Sequence, residues 1–65
     1  MQIQLNGESC EVPADATLAS LIEQLRLEGR LAIEVNEAIV PRGQFAAYRL
    51  QEQDRVEIVR AIGGG

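Results

Sequence analysis

The chain has 65 residues, of which 46% are hydrophobic, and a formal net charge of −4. This length suits one small domain, and the hydrophobic fraction is too high for a disordered chain. The acidic balance argues against nucleic acid, whose phosphates require a basic surface, and against an anionic membrane. The sequence contains no histidine, the commonest general acid–base residue and metal ligand, so we predict neither a bound metal nor histidine-based catalysis.

Three features of the sequence bear on its compartment. No apolar run approaches the ~18 residues of a membrane-spanning helix. Met1–Leu5 lacks the basic region and long apolar core of a secretory signal. Cys10 is the single cysteine, and a small domain without disulfides is typical of a reducing compartment. We expect a cytoplasmic protein.

The first segment predicts a β-hairpin. The first five residues alternate between apolar side chains and glutamine, as in a strand with one apolar face. Asn6-Gly7 follows, and this dipeptide favours a type I′ turn because both central residues need positive φ. A two-residue turn pairs Ile3 with Cys10. Cys10 is therefore expected in the core, where free cysteine is common and unreactive.

The next predicted element is an α-helix. Thr17 is a plausible N-cap, with Asp15 as the alternative. Four aliphatic side chains then recur at the i, i+3, i+4, i+7 spacing of one helix face: Leu18, Leu21, Ile22 and Leu25. Gly29 stands where a C′ glycine would end the helix.

Further extended segments are predicted at 31–36, 38–40, 48–50 and 55–61. Asn36-Glu37 is expected to form the turn between the first two. A short helical turn at 44–47 would bring Phe45 into the core. A single helix covers only one face of a four- or five-stranded sheet, and exposed apolar surface on a small protein often marks a docking site. We expect partner docking beside the last strand, at Val59, Ile62 and Ile39.

The sequence ends in three glycines, Gly63, Gly64 and Gly65. Such a run is costly to order and extends on the order of 10 Å. Chain ends are commonly frayed, but a tail without side chains also fits a narrow slot on a partner. We therefore predict a folded domain at 1–62 and a flexible tail at 63–65. The carboxylate of Gly65 would become reactive only when activated as an acyl-adenylate.

These features together resemble a known family. The Asn-Gly hairpin, the segment from Val35-Asn36 through Phe45, Asp54 before the last strand, and the terminal Gly64-Gly65 are similar to the sulfur-carrier proteins of thiamine biosynthesis, the ThiS family. The resemblance covers the whole chain. It implies an α+β, ubiquitin-like β-grasp fold, with a mixed four- to five-stranded sheet, one helix on one face, and the first and last strands parallel at the centre. Gly63 departs from the family, which often has a larger residue there.

The resemblance also implies a function. In this family an ATP-dependent adenylyltransferase of the ubiquitin-activating type adenylates the terminal glycine, which becomes a thiocarboxylate and donates sulfur to thiazole synthase. By the motif match that glycine is Gly65, while Gly63 and Gly64 enter the partner's active site. The chain would then be a carrier and not an enzyme. Mg-ATP would belong to the activating partner, and a sulfur donor such as a cysteine desulfurase would be a further partner.

Three other functions stay open. The small subunit of molybdopterin synthase shares the fold and the tail but is usually longer. A ubiquitin-like modifier would join Gly65 to target lysines, although this chain has no lysine with which to build polymers of itself. A plain binding module with an idle tail would keep every interaction after Gly64 and Gly65 were removed.

Overall fold

A computed structural model describes residues 1–60. Its elements in chain order are β1 (Gln2–Leu5), β2 (Glu8–Glu11), α1 (Leu18–Gln24), β3 (Leu31–Val35), β4 (Ala38–Val40), a 3₁₀ helix (Arg42–Gln44) and β5 (Arg55–Arg60). The predicted boundary between residues 62 and 63 lies outside the described residues. No helix within residues 1–60 is long and apolar enough to cross a bilayer.

The five strands form one mixed sheet in the order β2-β1-β5-β3-β4. β1 and β5 are parallel, whereas the other neighbouring strands are antiparallel. The predicted α+β fold is thus confirmed, with the first and last strands side by side and β5 at the centre. Buried side chains of α1 and of the sheet form one core cluster, and its largest fully buried members are Ile3, Leu18, Leu21, Ile33, Val35 and Val56. Phe45 is buried as predicted.

The predicted first hairpin is confirmed. Asn6 and Gly7 both have positive φ, 49° and 85°, and Ile3 pairs with Cys10. Cys10 is only half-buried, so the prediction that it lies in the core is only partly correct. The reason is topological: β2 is an edge strand, whereas Ile3 lies on β1 between two neighbours.

Helix α1 begins at the predicted N-cap, Thr17. The Thr17 Oγ1 accepts a hydrogen bond from the Ser20 N–H at 3.1 Å, and the Ser20 Oγ accepts one from the Thr17 N–H at 2.9 Å. This reciprocal capping box satisfies two backbone donors at the start of the helix. The choice between Thr17 and Asp15 is therefore settled in favour of Thr17.

The predicted end of the helix at Gly29 is wrong. The helix ends at the C-cap Leu25, and Arg26 takes the left-handed conformation with φ 56°. The Arg26 N–H donates to the Glu23 carbonyl and the Leu27 N–H to the Ile22 carbonyl, each at 3.1 Å. These two bonds form a Schellman motif, which satisfies carbonyls that the end of a helix leaves without partners.

The predicted strand at 48–50 is also wrong. This segment forms a single β-bridge, between Arg49 and Thr17. The Leu18 N–H donates to the Tyr48 carbonyl at 3.1 Å, and the Leu50 N–H donates to the Ala16 carbonyl at 2.9 Å. The segment therefore runs beside the start of α1, outside the sheet, because its backbone partners come from the helix entry.

Candidate functional site

The described part of the site is β5, the strand that leads to the glycine tail. β5 ends at Arg60 and has β1 on one flank and β3 on the other. The predicted site residues Ile62, Gly63, Gly64 and Gly65 lie outside the described residues. The structure therefore defines the base of the site and the surface around it.

Asn6 extends the pairing between β1 and β5. The backbone register of this pair ends at Leu5 opposite Val56, and the Asn6 N–H donates to the Val56 carbonyl at 2.9 Å. One step further, the Asn6 Oδ1 accepts from the Ile58 N–H at 2.9 Å and its Nδ2 donates to the Ile58 carbonyl at 3.2 Å. The Asn6 side chain thus makes the two hydrogen bonds that the backbone of a further β1 residue would make with Ile58.

Asn36 secures the opposite end of the same strand. Its backbone N–H donates to the Arg55 carbonyl at 2.8 Å, and its Oδ1 accepts from the Arg55 N–H at 2.9 Å. Its Nδ2 donates to Asp54 Oδ1 at 3.0 Å. Asn36 has φ 52° and occupies the turn between β3 and β4. Both hairpin turns therefore direct an asparagine to β5.

Asp54 is the one buried charged residue among residues 1–60, with 9% of its surface exposed. Besides the bond from Asn36, its Oδ2 accepts from the Gln51 N–H at 2.8 Å. Within the described chain no buried side-chain nitrogen or oxygen lacks a hydrogen-bond partner. Asp54 thus fixes the polar turn that precedes β5. The sequence singled out Asp54 and both asparagines, but it did not show that they converge on this strand.

Replacing Asn6 separates two contributions to stability. Asn6→Gly removes the two side-chain bonds to Ile58 but keeps a residue that tolerates positive φ, so we expect a loss of about 1–2 kcal/mol of unfolding free energy. Asn6→Ala adds the backbone strain of a left-handed residue, about a further 1 kcal/mol. Urea denaturation of both variants measures the two losses. Equal stability of Asn6→Gly and the parent protein would contradict a role for the side chain.

Two of the three predicted docking residues lie within residues 1–60, and both are exposed on one face of the sheet. Ile39 is 75% exposed and Val59 is 61% exposed, and they are the two exposed large hydrophobic side chains within residues 1–60. β3 lies between their strands, so the two residues are two strand spacings, about 10 Å, apart across the sheet and are offset by two residues along it. This is the face that α1 leaves uncovered.

Two glutamates lie directly opposite each other on this face. Glu34 of β3 pairs with Glu57 of β5 and also with Ile39 of β4, while Val59 is two residues further along β5. Like charges at directly paired positions destabilise a sheet. The surface formed by Ile39, Glu34, Glu57 and Val59, which we call the outer patch, therefore combines apolar side chains with a repulsive acidic pair.

Neutralising one member of the pair should stabilise the free protein. We expect Glu57→Gln to raise the unfolding free energy by about 0.3 kcal/mol at low salt. Because salt screens exposed charges, the gain should vanish at high ionic strength. Glu8→Gln, on an exposed position of the edge strand β2, is the matched control and should show no such gain. A salt-independent gain would show that charge repulsion is not its cause.

Cys10 and the acidic side chains are the usual metal-binding side chains found within residues 1–60. Cys10 is a half-buried free thiol on β2. Among residues 1–60, no three histidine, cysteine, aspartate or glutamate side chains are grouped so that they could hold a metal ion.

The sequence model described as "ThiS family" matches residues 3–65. The chain belongs to the ThiS family. The sulfur carrier protein ThiS of Escherichia coli K12 is 35% identical over 66 residues, with both chains fully covered. A crystal structure of a thiamine biosynthesis protein (ThiS) from Geobacter metallireducens superposes with a TM-score of 0.86 at 25% identity, again with both chains fully covered. The resemblance to this family seen in the sequence is thus confirmed.

A second group of relatives consists of much longer proteins. The thiazole synthase of Magnetococcus marinus is 44% identical over 66 residues, and that of Paramagnetospirillum magneticum is 36% identical. Both matches cover all of this ThiS-family chain but only 20% of the longer protein. In these relatives a segment similar to the chain is therefore part of a protein named thiazole synthase.

Proposed function

We propose that this protein carries sulfur as a thiocarboxylate on Gly65. A carboxylate oxygen of Gly65 attacks the α-phosphate of Mg-ATP on a separate adenylyltransferase, and pyrophosphate leaves. The terminal sulfur of a persulfide on the sulfur donor, such as a cysteine desulfurase, then attacks the acyl carbon, and AMP departs with the bonding electron pair. A thiol reduces the resulting acyl disulfide and releases the thiocarboxylate, which supplies sulfur for the thiazole ring of thiamine. The chain acts as a cosubstrate in this series of reactions, which we assign to the cytoplasm.

The observation that carries this proposal is the way the fold holds β5. The strand is central, is bound by Asn36 at Arg55 and by Asn6 at Ile58, and leads through Ala61 and Ile62 to the three glycines. Glycine leaves the reacting carbonyl without a neighbouring side chain, which suits entry into a narrow active site. Three bare residues bind weakly, so the folded body must supply affinity and raise the local concentration of the tail.

The outer patch is the surface that we assign to partner docking. Ile39 and Val59 offer apolar contact, and a basic side chain on the partner would relieve the repulsion between Glu34 and Glu57. Ile62 is proposed as part of the same docking region. We therefore expect Glu57→Lys to weaken binding to the activating enzyme by about tenfold, the effect of roughly 1.4 kcal/mol.

Thiazole synthase is the proposed sulfur acceptor. Its support is the occurrence of a similar segment within the thiazole synthases of two organisms, because a carrier built into its acceptor gains effective concentration. No comparable observation favours the molybdopterin, protein-modifier or idle-tail alternatives.

Intact-mass spectrometry tests the chemistry directly. The protein is incubated with the adenylyltransferase of the same organism, Mg-ATP and a sulfur donor. The expected product has one oxygen replaced by sulfur, and fragmentation should locate the change at Gly65. An unmodified chain, with an adenylyltransferase that is active on its known carrier, would contradict the proposal.

A further inference from the structure

The sequence holds few groups that react with an activated carboxyl carbon. It contains no lysine, and all six of its basic residues are arginine. The guanidinium group stays protonated at neutral pH and presents no lone pair for attack. The strong nucleophiles of the 65-residue chain are therefore the α-amine of Met1 and the thiol of Cys10. The strand register gives the distance of each from the tail.

The α-amine of Met1 lies at the end of the sheet opposite the tail. It donates a hydrogen bond to the Val12 carbonyl at 2.7 Å, and the Val12 N–H donates to the Met1 carbonyl at 2.8 Å. Met1 thus continues the ladder between β1 and β2. In the parallel pair of β1 and β5, Gln4 is opposite Arg55, and Met1 is three residues before Gln4. Arg60 is five residues after Arg55, so eight residue steps, about 26 Å, separate the two ends.

Cys10 is nearer to the tail in the register but lies on a more distant strand. It pairs with Ile3, which is six residue steps from the level of Arg60, and β1 separates its strand from β5. The backbone of Cys10 is thus about 20 Å from Arg60 along the strands and about 10 Å across them, or about 22 Å in a straight line. Its side chain shares a face with buried Ile3 and packs against the core.

The five residues after Arg60 are too few to span either distance. A fully extended chain covers at most about 3.6 Å per residue, so residues 61–65 extend no further than about 18 Å from Arg60. This limit depends on the number of residues alone. It falls short of the Met1 amine by about 8 Å and of the Cys10 backbone by about 4 Å.

We propose that the fold prevents an activated Gly65 from reacting with the nucleophiles of its own chain. Within reach, the amine of Met1 would attack the acyl carbon, form an amide and release AMP and a proton, and the thiol of Cys10 would form a thioester in the same way. Tethered groups within reach act at effective concentrations of about 1 mM, on the order of 100-fold above a protein at about 10 µM. Their placement therefore confines acyl transfer to partners. The inference rests on the proposed function, because it takes Gly65 as the activated residue.

A C-terminal thioester of the 65-residue chain with a small thiol tests this without a partner enzyme. If Cys10 or Met1 attacks the acyl carbon, the small thiol leaves and the product is a ring, one water lighter than the hydrolysed chain. In buffer, where the domain is folded, intact mass should show hydrolysis and no ring. In guanidinium chloride, where the ends of the unfolded chain meet, the ring fraction should be at least about tenfold larger. Equal ring formation under both conditions, or none under either, would overturn the proposal.

A lengthened tail separates reach from the other effects of folding. Five glycines inserted before Gly63 extend the limit to about 36 Å, beyond both distances, and leave residues 1–60 unchanged. The folded variant should then form at least about tenfold more ring than the folded parent. Circular dichroism checks that the two are equally folded. A lengthened tail that stays linear would show that reach is not what protects Gly65 and would overturn the proposal.

The two proposals fail in different ways. The thioester experiment contains no adenylyltransferase, so an unmodified Gly65 in the enzymatic assay contradicts the proposed function and leaves the thioester result standing. A ring in the folded parent overturns protection by the fold and leaves thiocarboxylate formation on the adenylyltransferase unaffected.

Discussion

Deletion of Gly65 should abolish thiocarboxylate formation while leaving the domain folded. The acyl carbon that is adenylated would be lost from its position, and the remaining Gly64 would end one residue, ~3.5 Å, short of the catalytic groups. A misplacement of ~1 Å can already cost a reaction about 100-fold. The hydrogen bonds described for β5 join partners within residues 1–60 and do not involve Gly65, so stability should not change. Intact mass after incubation with the adenylyltransferase measures the product.

Two controls accompany the deletion. Adding one alanine after Gly65 should also abolish the product. The terminal carboxylate is then displaced by one residue, and the α-carbon beside it carries a methyl group. Cys10→Ala should form the product as the parent does, since Cys10 lies on the edge strand β2, away from β5 in the strand order. Loss of the product in a well-folded Cys10→Ala variant would show that sulfur transfer passes through this thiol.

Asp54→Ala should strongly destabilise the domain. The variant leaves the Gln51 N–H and the Asn36 amide without their acceptor, at a cost of about 3 kcal/mol for a bond network to a charged, buried group. A domain of this length has a total stability of about 3–10 kcal/mol. The loss is therefore about a third or more of the total stability, and urea denaturation followed by circular dichroism measures it.

The exposed residue Asp15 provides the matched control for Asp54. Asp15→Ala should change the unfolding free energy by less than about 0.5 kcal/mol, as surface substitutions usually do. Asp54→Asn keeps the shape and one acceptor oxygen, so its loss should be intermediate. If all three variants were equally stable, the network around Asp54 would have no structural role.

The elements that sequence reasoning predicted correctly are those determined by neighbours in the chain. The Asn6-Gly7 turn sets its own register, and Thr17 caps α1 through Ser20, three residues away. The end of α1 was harder to predict because Arg26, not Gly29, adopts positive φ. Two hydrogen bonds and the packing of Leu27 against the core offset the roughly 1 kcal/mol strain of that conformation.

Contacts between distant segments account for the remaining differences between the predictions from sequence and the structure. Residues 48–50 have a strand-like composition, but their partners are Ala16 and Leu18 at the entry to α1. No periodicity reveals such a pairing. Asn6 and Asn36 were correctly predicted in turns, yet each also reaches β5, 52 and 19 residues away in sequence. The exposure of Ile39 and Val59 could be predicted, because one helix covers one face.

The attachment of β5 on both flanks has a mechanical consequence. In the proposed function a partner would draw the tail into its active site, and the force would then act along the axis of β5. The bonds to β1, Asn6 and β3 are then loaded together in shear, instead of being peeled away one after another. In that case an enzyme could pull on the terminal residues and then release them without unfolding the domain.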